Sequence, residues 1–580
     1  MGLPHGRSPI GHGKEGQVLL GAAASASDLR LDVNVLDYVI LIVYFSVVLA
    51  VGVLARRSVA TGEDFFLAGR ALPAWVTGSA FVSANLGAVE ILGMAANGAQ
   101  YGFPAVHYYW IGAIPAMVFL GLVMMPFYYA SRVHSVPEYV RRRFNAPTHV
   151  VNALSFAVAQ LLIAGVNLYA LAIVFEALLG WPLWVSIVLA AVLVLSYVTL
   201  GGLSGAVYNG VLQLFLVIAA LIPIVIIGLS QAGGWGGLQD KVGKAEYFSA
   251  WHGTGAPGWT NPLGDWIGIV FGLGFALSFG YWTTNFAVVQ RALSAKDLSA
   301  ARRTPLIGAF PKVLMSFLTV IPGLLAVALV PGFTGPEAEY NNALPALMRD
   351  LLPNGVLGIG LTGLLAAFMA GMAANLSSFT TVFTYDLWRR YAVPDRNDHY
   401  YLTVGRVATV AGAGTGIGTA FVAAGFSNIM NYLQALFSYF NAPLFAVLVL
   451  ALFWRRVSAW AGFYGLIAGT LGAFVAHDVL PDFAYFHAGG LMSGTTNEQM
   501  VNSYGAIVAV VLAWLAMTGV TMVTPPKPRE ELAGLVWSEP DPSAAGIVRA
   551  RKRRSQWWES PVVLGSGALG LTAVLSLVFR

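Results

Sequence analysis

Residues 71–97 read ALPAWVTGSAFVSANLGAVEILGMAAN, an apolar run that holds one charged side chain, Glu90. An ionised carboxylate is costly in hydrocarbon, so one kept inside such a run points to a charged partner or a wet path. The run is long enough, as a helix, to cross a hydrocarbon core of about 30 Å. Working outward, similar stretches lie near 35–55, 105–130, 149–178, 182–199, 206–230, 262–290, 307–331, 354–387, 402–424, 430–453, 458–476, 502–523 and 559–579. Together they make about fourteen candidate spans. Lipid offers the backbone no hydrogen-bond partner, so these stretches are expected to be helices; barrel strands would read as shorter alternating segments. A second charge, Lys312, sits inside the run 307–331. The fold class is thus an all-α integral membrane protein.

Composition agrees. The chain has 580 residues, 57% hydrophobic and 10% charged, against about 25% charged in a soluble chain. Mean hydropathy is +0.71. The absence of cysteine excludes disulfides, cysteine-based zinc sites and thiol catalysis. A net charge of +5 does not indicate nucleic-acid binding, because the basic residues sit in short connectors, as positive-inside orientation requires. Arg56, Arg57 and Arg70 follow the first span, Arg141–Arg143 the third, Arg302 and Arg303 the seventh, Arg389 and Arg390 the ninth, and Arg455 and Arg456 the eleventh. All fall on one side if both termini are extracellular. The bilayer is then a partner by composition, and the plasma (inner) membrane is the expected location.

The domain reading follows from these spans. It has an extracellular tail at 1–34, a peripheral helix at 35–60, two halves at 65–230 and 262–453, additional helices at 454–523, a flexible cytoplasmic linker at 524–558 and a final helix at 559–580. Val18–Ala26 resembles a signal-peptide core but is short, and is taken as part of the tail. The second span carries Gly78, Gly87 and Gly93, and the seventh, five spans later, carries Gly272, Gly274 and Gly280. Interrupted helices at matching places in two halves suggest an inverted-repeat transporter with its site near the midplane; close helix packing is the alternative use of those glycines.

Glu90 can pair with a base, stay protonated, or bind a cationic or hydroxylated ligand. Asn85 lies about a turn and a half away, so it faces elsewhere unless the helix unwinds. Lys312 sits about one turn into its span after Pro311, where it either snorkels to the interface or is aimed inward by a kink. Tyr281-Trp282-Thr283-Thr284-Asn285 and Gln434 set rings beside amides and hydroxyls. That mixture suits a sugar, whose CH faces stack and whose hydroxyls need partners. His107-Tyr108-Tyr109-Trp110 opens a span and reads as an interfacial aromatic belt. His477 with Asp478 reads as an external loop pair. No phosphate-cradling loop, metal cluster or nucleophile triad is found, so no cofactor and no enzymatic activity are expected.

These residues, with Phe65-Phe66-Leu67-Ala68-Gly69-Arg70, Val136-Pro137-Glu138-Tyr139, Gly201-Gly202 ahead of Tyr208 and Gln213, Val289-Gln290-Arg291, and Phe383-Thr384-Tyr385-Asp386, resemble the sodium:solute symporter family, within it the sodium/glucose cotransporter branch. The likeness runs from about Phe65 to Phe463. It implies a 5+5 inverted-repeat core with broken first and sixth core helices, one helix before and three after, and alternating access driven by a cation gradient. Residue by residue, it implies that Lys312, Gln434, Tyr281, Trp282, Asn85 and Ser278 line a sugar site. It also implies that Glu90 stands where the cotransporters carry an amide or imidazole, and Tyr109 where they carry a sugar-binding glutamate. The family's sodium is held by backbone carbonyls at the positions of Ser83 and Leu86 and by α-helical positions matching Ala367, Ala370 and Gly371. The last two replace adjacent serines. Gly210 and Asn285 each stand where an aspartate is usual. A hard cation needs several oxygen ligands, so these departures imply sodium coupling that is weakened, moved or lost.

The expected function is secondary transport of a small polar solute, a sugar first, as a cation symporter with sodium as the family default. Proton-coupled or uncoupled sugar transport, and monocarboxylate or amino-acid symport, are the alternatives. A solute sensor is the rival class, although 524–580 is too small for a signalling domain.

Overall fold

The structure, a computed structural model, describes residues 31–56, 61–331, 333, 338–487, 496–539 and 557–580. Among them the chain is helical, with isolated bridges such as Leu72 to Ala295 and no strand. The expected tail at 1–34 lies almost wholly outside the described residues.

In chain order the helices that position the site are α1 (Val35–Arg56), α2 (Ala74–Asn85), α3 (Val89–Tyr101), α4 (Phe103–Ala130), α5 (Val136–Arg143) and α6 (Ala146–Leu179). They continue with α7 (Leu183–Ala232), α8 (Gly268–Thr284), α9 (Phe286–Leu293), α10 (Leu298–Leu329), α11 (Val356–Ala392) and α12 (Asp398–Ala423). The last four are α13 (Ile429–Phe453), α14 (Ala461–Val479), α15 (Glu498–Val523) and α16 (Pro561–Val578). Ten described helices are long and apolar enough to cross a bilayer, and the bent pair α2–α3 makes an eleventh. The count expected from sequence was higher. The difference lies in the first part of α7, in α8 and in α12, which are helical but shorter or more diluted with threonine and glycine.

Two interruptions organise the core. Between α2 and α3 the axis turns by 62°. Gly87 N–H bonds to Asn85 O at 2.8 Å, and the helix resumes with Glu90 N–H and Ile91 N–H on Gly87 O. The freed N–H of Ala88 is taken by Asn167 Oδ1 of α6 at 3.0 Å, which satisfies a donor that lipid cannot. The second interruption is at Asn285, whose extended backbone ends α8 and whose Oδ1 accepts Ala287 N–H at 2.9 Å to start α9. The glycines of this stretch are therefore not the break. Gly272 packs on Ser503, Gly274 on Ile111 and Gly280 on Asn441, which is their close-packing use. An amide that caps its own following helix does what glycine alone does not. A kink at Gly202 (φ 53°) divides α7.

Connectors lock the frame. Ser135 Oγ caps α5 by accepting Glu138 N–H, and Arg142 pairs with Glu138 at 2.6 Å. Burial works to raise the Glu138 pKa, but hydrogen bonds from the His134 ring and main chain and from Arg142 outweigh it and hold the carboxyl at about 2. The buried Arg143 guanidinium donates to the carbonyls of Ala451, Trp454 and Val457 at the end of α13. The start of the expected flexible linker is also packed: Tyr139 OH donates to Leu535 O, Trp537 N–H to Leu452 O, and Leu532 and Val536 are buried. Apolar Leu532, Leu535 and Val536 make it an anchor over 524–539; 540–556 lies outside the described residues. His477 and Asp478 lie within α14 rather than in a loop, and His477 bonds to Ala473 O and Asn502 Oδ1.

The peripheral α1 packs on α7 and α11. Its buried Asp37 accepts Gly355 N–H at 2.8 Å and Gly358 N–H at 2.7 Å at the start of α11. Helix N-termini expose such unpaired donors and favour a carboxylate. Asp37→Ala is expected to destabilise the protein by about 1–3 kcal/mol, because buried N–H groups lose their acceptor. Thermal unfolding in detergent micelles checks this, with Asp37→Asn losing less.

Candidate functional site

The α2–α3 break, together with α4, α6, α8, α10, α11 and α13, lines a small cavity of about 70 Å³. Asn85, Glu90, Tyr109, Ser278, Tyr281, Trp282, Lys312 and Gln434, from five separate parts of the chain, all line it.

Lys312 is at its centre. The helix that carries it starts at Leu298, earlier than the apolar stretch, so the lysine stands mid-helix and does not snorkel. It is 1% exposed and Glu90 is 6% exposed. Lys312 Nζ lies 2.7 Å from Glu90 Oε1 and also donates to Asn85 Oδ1. Unwinding between α2 and α3 is what lets Asn85 and Glu90 reach one ammonium. The Tyr109 and Trp282 rings flank Nζ at 5.2 and 5.1 Å from their centroids, a cation–π cradle. Asn85 Nδ2 in turn donates to Tyr281 OH at 3.0 Å, so one amide joins the lysine to α8.

The rings are held from behind. Trp282 stacks on Phe81 at 5.5 Å, Tyr281 lies against Phe437 at 4.7 Å, and Tyr109 OH meets Thr319 Oγ1 at 2.6 Å. Gln434 Oε1 is buried with no hydrogen-bond partner, while its Nε2 approaches only Met430 Sδ at 3.7 Å. A buried unpaired acceptor on a cavity wall is what a ligand hydroxyl would satisfy. The aromatic opening of α4 is not an exposed belt: His107 bonds to Ala250 O, Trp110 to Ser316 Oγ and Tyr108 to Gln499, all buried.

Polar ties lie beyond both ends of the cavity. Toward Tyr101, Asn428 Nδ2 donates to Asn97 Oδ1 at 2.9 Å and to Gln100 Oε1 at 2.6 Å, and Asn431 Nδ2 to Glu498 at 2.7 Å. Toward Ala74, Gln290 Nε2 donates to Phe66 O at 2.8 Å and Gln160 Nε2 to Asn285 Oδ1 at 3.4 Å.

Sequence reasoning missed Asn167, which lines the cavity, braces Ala88 and donates from Nδ2 to Ile163 O. Asn167 is one of three amides, with Asn152 and Gln160, in the long apolar run of α6, and that was the signal available.

At the expected cation position, α11 does come against the break. Ser83 and Leu86 are buried on the α2 side, and Ala367, Ala370 and Gly371 on the α11 side. A Cβ on Gly371 would fall 2.8 Å from Gly87 Cα and 2.6 Å from Asn167 Oδ1, so a serine does not fit there. A Cβ on Gly210 would lie 3.6 Å from Ser83 Oγ, so position 210 faces the same spot without an oxygen. Ser377 and Ser378 are engaged elsewhere, with Gln290 Oε1 and Gln160 Oε1. The residues present do not fit a sodium ion held by side-chain hydroxyls. No group of three or more His, Asp or Glu occurs among the described residues.

The profile of the sodium:solute symporter family matches residues 65–469. Sodium/glucose cotransporter 4 of Danio rerio is 28% identical over 86% of this chain and 80% of its own. Sodium/myo-inositol cotransporter 2 of Oryctolagus cuniculus is 29% identical over 86% and 78%, and the sodium/glucose cotransporter of Vibrio parahaemolyticus is 27% identical over 76% and 85%. The solved structure of a Na+-coupled sialic acid symporter, substrate-bound and outward-open, shares the fold with a TM-score of 0.69 at 19% identity, covering 85% of this chain and 99% of that one.

Proposed function

This chain belongs to the sodium:solute symporter family, and from that premise we propose that it is a secondary active transporter that moves a sugar or polyol through the Lys312 cavity by alternating access, in symport with a cation. Sodium is the family's default cation. The observation that carries the solute reading is the wall itself: Tyr281, Trp282 and Tyr109 offer stacking faces, while Asn85, Gln434 and Lys312 offer hydrogen bonds, with Gln434 Oε1 unmatched. A neutral polyhydroxyl solute uses all of these. A carboxylate would have to compete with Glu90 for Lys312.

In this reading fourteen helices cross the plasma membrane and both termini are extracellular. Residues 65–230 and 262–453 form the two inverted repeats, and α2–α3 and α8–α9 are the broken first and sixth core helices. The Asn428 and Gln290 ties act as the outer and inner closures that open in turn. The peripheral helix α1, the additional helices within 454–523 and the final helix within 559–580 flank this core. No bond is made or broken in the solute.

The test is uptake into proteoliposomes of radiolabelled D-glucose, D-galactose and myo-inositol, beside pyruvate and proline, under imposed cation gradients. Saturable accumulation of a polyol is the expected result. Uptake of pyruvate or proline with no polyol flux would replace the solute class.

A further inference from the structure

We propose that the coupling cation is a proton carried on the Glu90 carboxylate; the proposal rests on the transport function above and names its ion. Three observations carry it. Glu90 is the one carboxylate lining the cavity, and it is buried there. The break between α2 and α3 meets α11 through Gly87 and Gly371; Ala370 and Gly371 carry no hydroxyl, and the side-chain oxygen beside them, Asn167 Oδ1, is already engaged by Ala88 N–H. Finally, Glu90 holds the group that a solute needs, because Lys312 is ion-paired with it at 2.7 Å while donating to Asn85.

The groups facing Glu90 are few. They are Lys312 from α10, the Tyr109 phenol from α4 and, farther off, the Tyr281 phenol from α8. From α13 the cavity receives Met430 and Gln434, and from α6 Ile163 and Asn167, none of which titrates. Lys312 is the one cationic group among them.

An ammonium has three N–H donors. With Glu90 ionised, one is committed to Asn85 and the ammonium is drawn to the carboxylate 2.7 Å away, so the pair is neutral overall. A proton from one side then converts the carboxylate to a carboxylic acid and weakens its hold on Lys312. The freed donor turns to a solute hydroxyl, and the new carboxyl O–H supplies a second. Solute therefore binds better to the protonated carrier, and by linkage the proton binds better when solute is present. Protonated without solute, the ammonium would be left with an unsatisfied buried N–H donor, which a solute hydroxyl relieves; this suppresses proton leak. On the other side the solute leaves, the proton passes to water, and the Glu90–Lys312 pair re-forms for the return. One positive charge moves per solute.

The full-length chain in proteoliposomes, with a pH dye inside and sodium replaced by choline, decides the matter. Adding D-glucose, D-galactose or myo-inositol, whichever exchanges, is expected to acidify the lumen of wild-type vesicles. An inward proton gradient is expected to drive accumulation of up to about tenfold per pH unit for one proton per solute, with no further rise from a sodium gradient at equal pH. In Glu90→Gln the ratio of gradient-driven accumulation to solute exchange should fall about tenfold, while Glu90→Asp keeps the acidification. Exchange needs no ion gradient and so separates the two readings. No exchange of any polyol overturns the transport reading. Exchange with sodium-driven accumulation and no acidification leaves transport standing and overturns the proton, as does exchange with no concentrating gradient at all.

Discussion

Lys312→Met is expected to reduce solute uptake at least about a hundredfold, because it removes a solute donor and strands Glu90. The methionine fills the lysine's volume, so the cavity keeps its shape. What changes is charge: Glu90 is left buried among Tyr109, Met430 and Asn85 without the ammonium 2.7 Å away. Breaking a buried pair by removing one partner costs about 3–5 kcal/mol, whereas replacing both is often near neutral. The single variant should thus unfold at a lower temperature in detergent. The double variant Lys312→Met with Glu90→Gln should recover most of that stability and none of the uptake. Thermal unfolding and proteoliposome uptake on the three proteins read this directly. Near-normal uptake by Lys312→Met would remove the lysine from the site.

Gly98→Val and Gly323→Val should each abolish stable packing between α3 and α10. These glycines face each other where the two helices cross. A Cβ on Gly98 would run into the Val320 carbonyl oxygen and lie 3.3 Å from Gly323 Cα. A Cβ on Gly323 would run into the Ala95 carbonyl oxygen and lie 2.8 Å from the Gly98 carbonyl carbon. Backbone atoms cannot rotate away as a side chain can, so the helices must separate. Overpacking of this kind costs about 1–3 kcal/mol, occasionally more. Separation would also draw Lys312 on α10 from Glu90 at the start of α3, so solute exchange should fall beyond the loss of folded protein. Alanine at either position should show a smaller effect in the same direction. A valine variant with an unchanged melting temperature and exchange rate would contradict the crossing geometry.

Five of the eight cavity residues break a local rule. Glu90 and Lys312 are charges in apolar runs, and Asn85, Ser278 and Gln434 are polar groups in the same setting. Tyr109, Tyr281 and Trp282 entered through rings set beside such groups and through the family resemblance. Asn167 broke the same rule and was passed over for want of a charge. The second break was misjudged because glycine content does not say whether a glycine relieves a bend or admits a neighbour; Ser503, Ile111 and Asn441 supply that answer from other helices. The stretch 524–539 was taken for a linker because its proline and charge outweigh Leu532, Leu535 and Val536, whose burial depends on α5 and α13.

What the amino-acid order determined by itself was the medium, the helices and the presence of a costly charge in each of two runs. Those follow from length, apolarity and the expense of desolvation, all of which act within a segment. Whether the two charges meet was decided only in three dimensions. Their neutralisation depends on an unwound turn at residues 86–88, on the true start of α10, and on an amide from α6 that holds the turn open. Pair energies depend on distance, and distance between remote segments is a property of the packed whole.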